Sequence, residues 1–331
     1  MKVQILCIYV DDALIATNTL EEAESIKDEF QESFELGKIQ PAEFMLGIKI
    51  ERDRKGRTVS LSQEKHIESA LERFGIRDAH PRPIPIIPEP DLQKREEWED
   101  KADITVYRSL IGSLLYIACA TRPDISFAVS KLGQFCADPS KGHLASCKDI
   151  LRYLKGTKTQ RLTIGGQGRI VGYCDADWGG DLDTRRSTTG FAFCIGGAVS
   201  WRSKRQLSVT TSTAEAELVA ISDAAKEAVS IRRFMAEILG EEPVITLYSD
   251  GNSAIDILER EGRHHQRTKH FDMRYCLVKE YLQRLIIRIQ HIKGSEQPAD
   301  ALTKGLPKDL LKKHKIVLMG ESDKVLTPAR L

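Results

Sequence analysis

Five prolines fall within ten residues, at Pro81, Pro83, Pro85, Pro88 and Pro90. Proline fixes its own φ, lacks a backbone donor and pushes the preceding residue out of the helical region. This stretch can therefore be neither helix nor central strand. The charged run from Lys94 to Asp103 extends the break. The 331 residues are thereby divided near residue 100, and at roughly 150 residues per domain the length fits two parts. Residues 81–104 are expected to be an extended linker.

Before the break the pattern is α+β. Two apolar, β-prone runs flank Asp11 and Asp12, which predicts a hairpin with the acids near its tip. Thr19-Leu20-Glu21-Glu22 is a capping-box pattern, and Ala23, Ile26, Phe30 and Phe34 follow at helical spacing. Phe44 to Ile50 and Thr58 to Leu61 read as a second hairpin, and Gln63 to Phe74 as a helix. After the break, residues 105–155 carry three helical apolar sets, separated by turns at Arg122-Pro123-Asp124 and Asp138-Pro139.

From residue 169 the period changes to strands, at Arg169 to Asp175, Gly190 to Ile195 and Ala198 to Trp201. A second capping box, Ser212-Thr213-Ala214-Glu215, opens a long helix. A strand (Val244 to Asp250), two helices, a strand (Leu285 to His291) and a helix starting at Pro298 complete the order.

Seven cysteines, an odd number without a C-x-x-C pair, argue against a zinc site or a disulfide framework. The net charge of +1 gives no global preference for nucleic acid. There is no apolar run long enough to span a membrane, and Met1 to Val10 lack a signal-peptide layout.

Two-metal cleavage of a phosphodiester needs several carboxylates converging on one point. Strand ends and helix starts facing a sheet can deliver them. Asp175 ends the first strand of the second half, Glu217 lies in the first turns of the long helix, Asp250 ends the fourth strand and Asp300 starts the last helix. One acid at a strand end is ordinarily a turn former; four, one per element, are harder to dismiss. Two choices stay open on the residues alone. Asp177 shares a strand face with Asp175 by alternation. Glu215 competes with Glu217, although as third residue of the capping box it is expected to reach back to Ser212. His291, nine residues before Asp300, could shuttle protons or help product leave.

Several segments resemble the Pol polyprotein of copia-type LTR retrotransposons. They are Tyr9-Val10-Asp11-Asp12, Gly112 to Tyr116 with Thr121 to Ile125, Leu151 to Thr157, Asp175 to Trp178, Ser187 to Gly190, Ser200-Trp201, Ser212 to Leu218, Arg267 to Asp272 and Ala299 to Lys304. The resemblance implies the C-terminal part of a reverse transcriptase followed by ribonuclease H. It implies Asp175, Glu217, Asp250 and Asp300 as nuclease metal ligands, deciding both open choices, and Asp11 and Asp12 as two of the polymerase's metal-binding carboxylates. His291 matches the mobile-loop histidine of related ribonucleases H only in part, because its loop is short here.

The fold class expected is α/β. An α+β reverse transcriptase palm and thumb remnant (1–80) is followed by the linker (81–104), a helical connection (105–164), a ribonuclease H-like domain (165–307) with a mixed five-stranded sheet flanked by helices, and a tail (308–331). The implied reaction is two-metal hydrolysis of the RNA strand of an RNA–DNA hybrid, with Mg2+ as cofactor and Mn2+ as the alternative. Upstream palm and finger segments are missing, so the fragment is expected to be inactive as a polymerase alone. The missing polymerase half and other Pol products are the implied partners. The implied location is a cytoplasmic retrotransposon particle or the nucleus, without secretion or membrane insertion. Between residues 141 and 169 seven Lys or Arg residues face one acid. Lys148, Arg152, Lys155, Lys158 and Arg161, extended by Arg202, Lys204 and Arg205, are the expected phosphate contacts. A catalytically silent, nucleic-acid-binding transposon remnant is the alternative, and another nuclease or a transposase of the same fold is a third reading.

Overall fold

A computed structural model of the chain describes residues 4–259 and 272–321. Of the segment Arg267 to Asp272, Arg267 to Phe271 lie outside the described residues. Strands β1 (Gln4–Tyr9) and β2 (Asp12–Thr17) form a separate two-stranded hairpin. Helix α1 (Leu20–Gln31) follows, its N-cap Thr19 side chain accepting from the Glu22 N–H. Strands β3 (Phe44–Met45), β4 (Ile48–Asp53) and β5 (Thr58–Ser62) are antiparallel neighbours, and α2 (Glu64–Arg73) buries Ile67, Ala70 and Leu71. Helices α3 (Ile104–Ala120), α4 (Ser126–Gly133) and α5 (Lys141–Gly156) come next. Asp103 caps α3 by accepting from Thr105 and Val106 N–H, and Ser140 caps α5.

Strand β6 (Leu162–Gly165) pairs antiparallel with β5 and completes the sheet β3-β4-β5-β6. The helical connection expected over 105–164 thus ends in a strand, which belongs to the first sheet. Four residues between a helix and a glycine pair are too few to show a period, so only the long-range pairing reveals it.

Strands β7 (Val171–Asp177), β8 (Thr188–Ile195) and β9 (Gly197–Arg205) lead into α6 (Thr213–Leu239), β10 (Ile245–Ser249), α7 (Asn252–Glu259), α8 (Asp272–Gln283) and β11 (Ile287–His291). The sheet order is β11-β10-β7-β8-β9, with β10 parallel to both β11 and β7, and β7, β8 and β9 antiparallel. This is the expected mixed five-stranded sheet in an α/β fold. Alternation places Cys174, Phe191 and Phe193 against Leu218, Ile221 and Ala224 of α6, and Tyr173, Ala192 and Cys194 in the second core with Leu110, Leu114 and Ile117 of α3. A sheet covered on both faces needs apolar residues at consecutive positions. Burying each large side chain contributes roughly 1.5–3 kcal/mol.

Two expectations need correcting. Residues 308–331 were expected to form a tail beyond the core. Instead, α9 (Lys308–Met319) buries Leu311, Leu318 and Met319. Interleaved Lys308, Lys312, Lys313 and Lys315 disguised that apolar stripe; residues 322–331 lie outside the described ones. Residues 81–104 have no regular helix or strand, apart from the first residue of α3, yet they are no loose spacer. Leu92 is buried, Ile84 and Ile86 pack against the main core, and the Lys94 N–H donates to Asp183. Among the described residues, no helix is long and apolar enough to cross a membrane.

Candidate active site

Asp175 lies near the C-terminal end of β7 and Asp250 directly follows β10, the adjacent parallel strand. Glu217 projects from the second turn of α6, which packs on β7, and its Oε1 accepts from the Ala176 N–H at 3.4 Å. One ligand oxygen from each of Asp175, Glu217 and Asp250 lies within 4.8 Å of the others. Asp300 sits in a 3-10 helix, Pro298–Leu302, that packs against β7 and β8. Gly190, opposite Asp175 in the β7–β8 ladder, permits that approach. A Cβ there would lie 2.7 Å from Thr303 Cγ2 and 2.8 Å from Leu302 Cβ. Gly251 does the same for Glu217, whose Cγ would be 2.8 Å from an added Cβ.

Asp175, and not Asp177, belongs to the three-carboxylate group. Glu217, and not Glu215, belongs to it as well. Glu215 caps, as expected of the third residue of a capping box, but it reaches Thr211, one residue before Ser212. His291 ends β11 opposite Ser249, is exposed, and stands close enough for its charge to favour ionised Asp250.

Concentrated negative charge makes ionisation costly. Burial, then the charges of Asp175 and Asp250, pushes Glu217 up to about 9. Burial and Asp175 push Asp300 up to about 7, and the same causes raise Asp250. Among the described residues, Glu217 Oε2 and Asp250 Oδ1 are buried without a hydrogen-bond partner. Buried carboxylates with orphaned oxygens converging on one point form the donor set of a hard divalent cation.

Sequence reasoning assigned no role to three side chains here. Thr303 donates its hydroxyl to Asp175 Oδ2, and Lys304 Nζ lies 3.0 Å from Asp300 Oδ1 and 3.8 Å from Asp175 Oδ2. Burial opposes the Lys304 charge, but Asp175 and Asp300 outweigh it and hold the ammonium above its ordinary range. Gln297 Nε2 donates to the carbonyls of Cys174 and Tyr248, tying β7 to β10 just behind the acids. The four-residue spacing of Asp300 and Lys304 was the available signal for a pair.

Asp11 and Asp12 sit exposed at the tip of the β1–β2 hairpin. Among the described residues, they belong to no group of three metal-type ligands.

The basic stretch looks different in three dimensions. Lys158 pairs with Glu64 and Glu68, and Arg161 with Glu51. Arg152 donates to the His80 carbonyl and Asp149, Lys155 to the Ala79 carbonyl, and Arg205 to Asp181 and Gln134. These charges tie α5, the residues between α5 and β6, and β9 to neighbouring segments. Lys148 and Lys204 have no hydrogen-bond or ion-pair partner among the described residues, and the Arg202 guanidinium lies 5.7 Å from the Phe191 ring centre.

Residues 2–88 match the family described as reverse transcriptase (RNA-dependent DNA polymerase). The chain is 40% identical to the Retrovirus-related Pol polyprotein from transposon TNT 1-94 of Nicotiana tabacum, over 92% of this chain and 23% of that one. It thus spans about a quarter of that relative's length. A foamy viral protease-reverse transcriptase in complex with RNA/DNA hybrid superposes with a TM-score of 0.46 at 13% identity, covering 87% of this chain and 36% of that chain. RNase H1 from Halobacterium salinarum superposes with a TM-score of 0.30 at 18% identity, covering 41% of this chain and 95% of that chain.

Proposed function

From the premise that this chain belongs to the copia-type retrotransposon Pol polyproteins, we propose that it carries a ribonuclease H which hydrolyses the RNA strand of an RNA–DNA hybrid. The observation that carries this reading is the convergence of Asp175, Glu217 and Asp250 within 4.8 Å, from two neighbouring strand ends and the start of α6. Asp300 is the fourth ligand. When bound, a pair of divalent cations, Mg2+ or Mn2+, supplies an activated water and stabilises the leaving oxygen.

The chain's own residues do the rest. Asp175 would help to hold both cations, with Glu217 and Asp250 completing the donor set for one and Asp300 for the other. Glu217 also orients the attacking water, and His291 moves a proton or helps product leave at the open side. Lys148, Arg202 and Lys204 remain the phosphate contacts, because their charges are not spent on neighbouring acids. The catalytic unit covers residues 165–307, with α9 closing its core. Asp11 and Asp12 are assigned to the polymerase reaction, and need a third carboxylate from another segment.

The test is cleavage of a hybrid labelled on its RNA strand, with magnesium, by the whole chain beside Asp175→Asn and Asp250→Asn. Cutting lost in both variants supports the reading. No cutting by folded protein, or cutting that survives both substitutions, rejects it.

A further inference from the structure

The two halves of the carboxylate cluster are not equivalent. Glu217 Oε2, Asp250 Oδ1 and Asp300 Oδ1 are all buried without a hydrogen bond among the described residues, but on the Glu217–Asp250 side no cation stands within ion-pair distance. On the other, Lys304 Nζ stands between Asp175 Oδ2 at 3.8 Å and Asp300 Oδ1 at 3.0 Å. Among the described residues, Lys304 is the cationic side chain within ion-pair distance of these acids. Asp175 Oδ2 is also the oxygen to which Thr303 donates its hydroxyl. So, among the described residues, a tethered ammonium stands within ion-pair distance of the Asp175–Asp300 side, and no cationic side chain does so on the Glu217–Asp250 side.

Backbone geometry keeps the ammonium there. The Lys304 and Thr303 N–H groups both donate to the Asp300 carbonyl, at 3.1 and 3.2 Å, which sets Lys304 one turn after Asp300. A tethered charge does not diffuse away, and its effective concentration at the carboxylates is on the order of millimolar or above. The side chain is nevertheless 42% exposed, so it has room to swing out. A phosphate arriving from solvent would offer the ammonium another anion.

We propose that Lys304 is a built-in occupant of the second cation position, so that the site loads in order. The Asp175–Glu217–Asp250 position takes a divalent ion from solution. The Asp175–Asp300 position takes one only after Lys304 has left it for a substrate phosphate. This rests on the two-metal reading above. Lys304 is then a positioning residue that couples occupancy of the second site to bound hybrid.

The experiment counts Mn2+ ions bound to the whole chain without nucleic acid, by electron paramagnetic resonance of the free ion. The expected stoichiometry is one for the wild type and for Lys304→Arg, and two for Lys304→Met. Asp300→Asn placed on Lys304→Met should return it to one. Lys304→Gln provides a second neutral variant, and circular dichroism confirms that each is folded. Two ions on the wild type, or one on both neutral variants, overturns the assignment of Lys304 and leaves the nuclease reading standing. No ion on any of them, with no cleavage of hybrid, overturns both.

Discussion

Arg122 and Asp124 form an ion pair with almost no solvent access, the two side chains being 1% and 0% exposed. The guanidinium donates to both carboxylate oxygens, at 2.8 and 2.7 Å, and to the Thr157 carbonyl and hydroxyl at 3.1 and 2.7 Å. The Tyr153 hydroxyl donates to Asp124 at 2.6 Å. Asp124→Asn keeps the volume and removes the charge, leaving a buried guanidinium uncompensated. Removing one partner of such a pair costs about 3–5 kcal/mol. At about 2 °C per kcal/mol for a chain of this size, the melting temperature should fall by roughly 6–10 °C. Burial opposes the Asp124 charge, but Arg122 and Tyr153 hold its carboxyl below the ordinary 3.8. A carboxyl lowered by folding stabilises fully above its unfolded value and loses that contribution as pH falls through the folded one. The gap between wild type and Asp124→Asn should therefore be constant near neutrality and close below about pH 4. Replacing both partners together, Arg122→Met with Asp124→Leu, should recover most of the loss. Thermal denaturation across pH checks all three statements. A fall of under about 1 kcal/mol in the single variant would refute the reasoning.

Three further outcomes follow from the site. Without metal, Glu217 keeps its proton up to about 9 in the folded chain but only to its ordinary 4.5 when unfolded. Stability should thus decline as pH rises between those values, and Glu217→Gln should flatten the slope in a urea titration series. Magnesium at about a hundred times its Kd should stabilise the chain by roughly 2.7 kcal/mol, an effect that Asp250→Asn should abolish in a melting assay. Gly190→Ala places a carbon 2.7 Å from Thr303 Cγ2 and must push Asp300's helix outward; cleavage of hybrid should drop at least tenfold while the protein stays folded by circular dichroism, and unchanged cleavage would sink this account.

Much of this could be read in advance because the information is local. Short runs of strand-forming residues announced β7 and β8, and Ser212 with Glu215 announced the start of α6. The candidate acids stood out by lying on element boundaries. What escaped depends on contacts between residues far apart in the chain. Thr303 and Asp175 are 128 positions apart, and nothing near either one predicts their meeting. The basic stretch misled for the same reason. Its partners Glu51, Glu64 and Glu68 come from β4 and α2, so counting charge along the sequence overstated what solvent sees. In α9, lysines interleaved along the sequence hid an apolar stripe that only packing exposes.

The proline-rich stretch is the obvious place to divide this chain on paper, yet β5 and β6 lie on opposite sides of it and form one ladder, from Thr58 opposite Gly165 to Leu61 opposite Leu162. An isolated bridge between Ile164 and Gly196 carries the connection on into the β8–β9 turn. The covalent path between the two parts and the physical path that joins them are therefore different. A protease nicking the chain between residues 81 and 104 would leave two fragments that separate on a denaturing gel but travel as one particle in solution, like the leaves of a hinge after the screws are drawn and the pin is left in place.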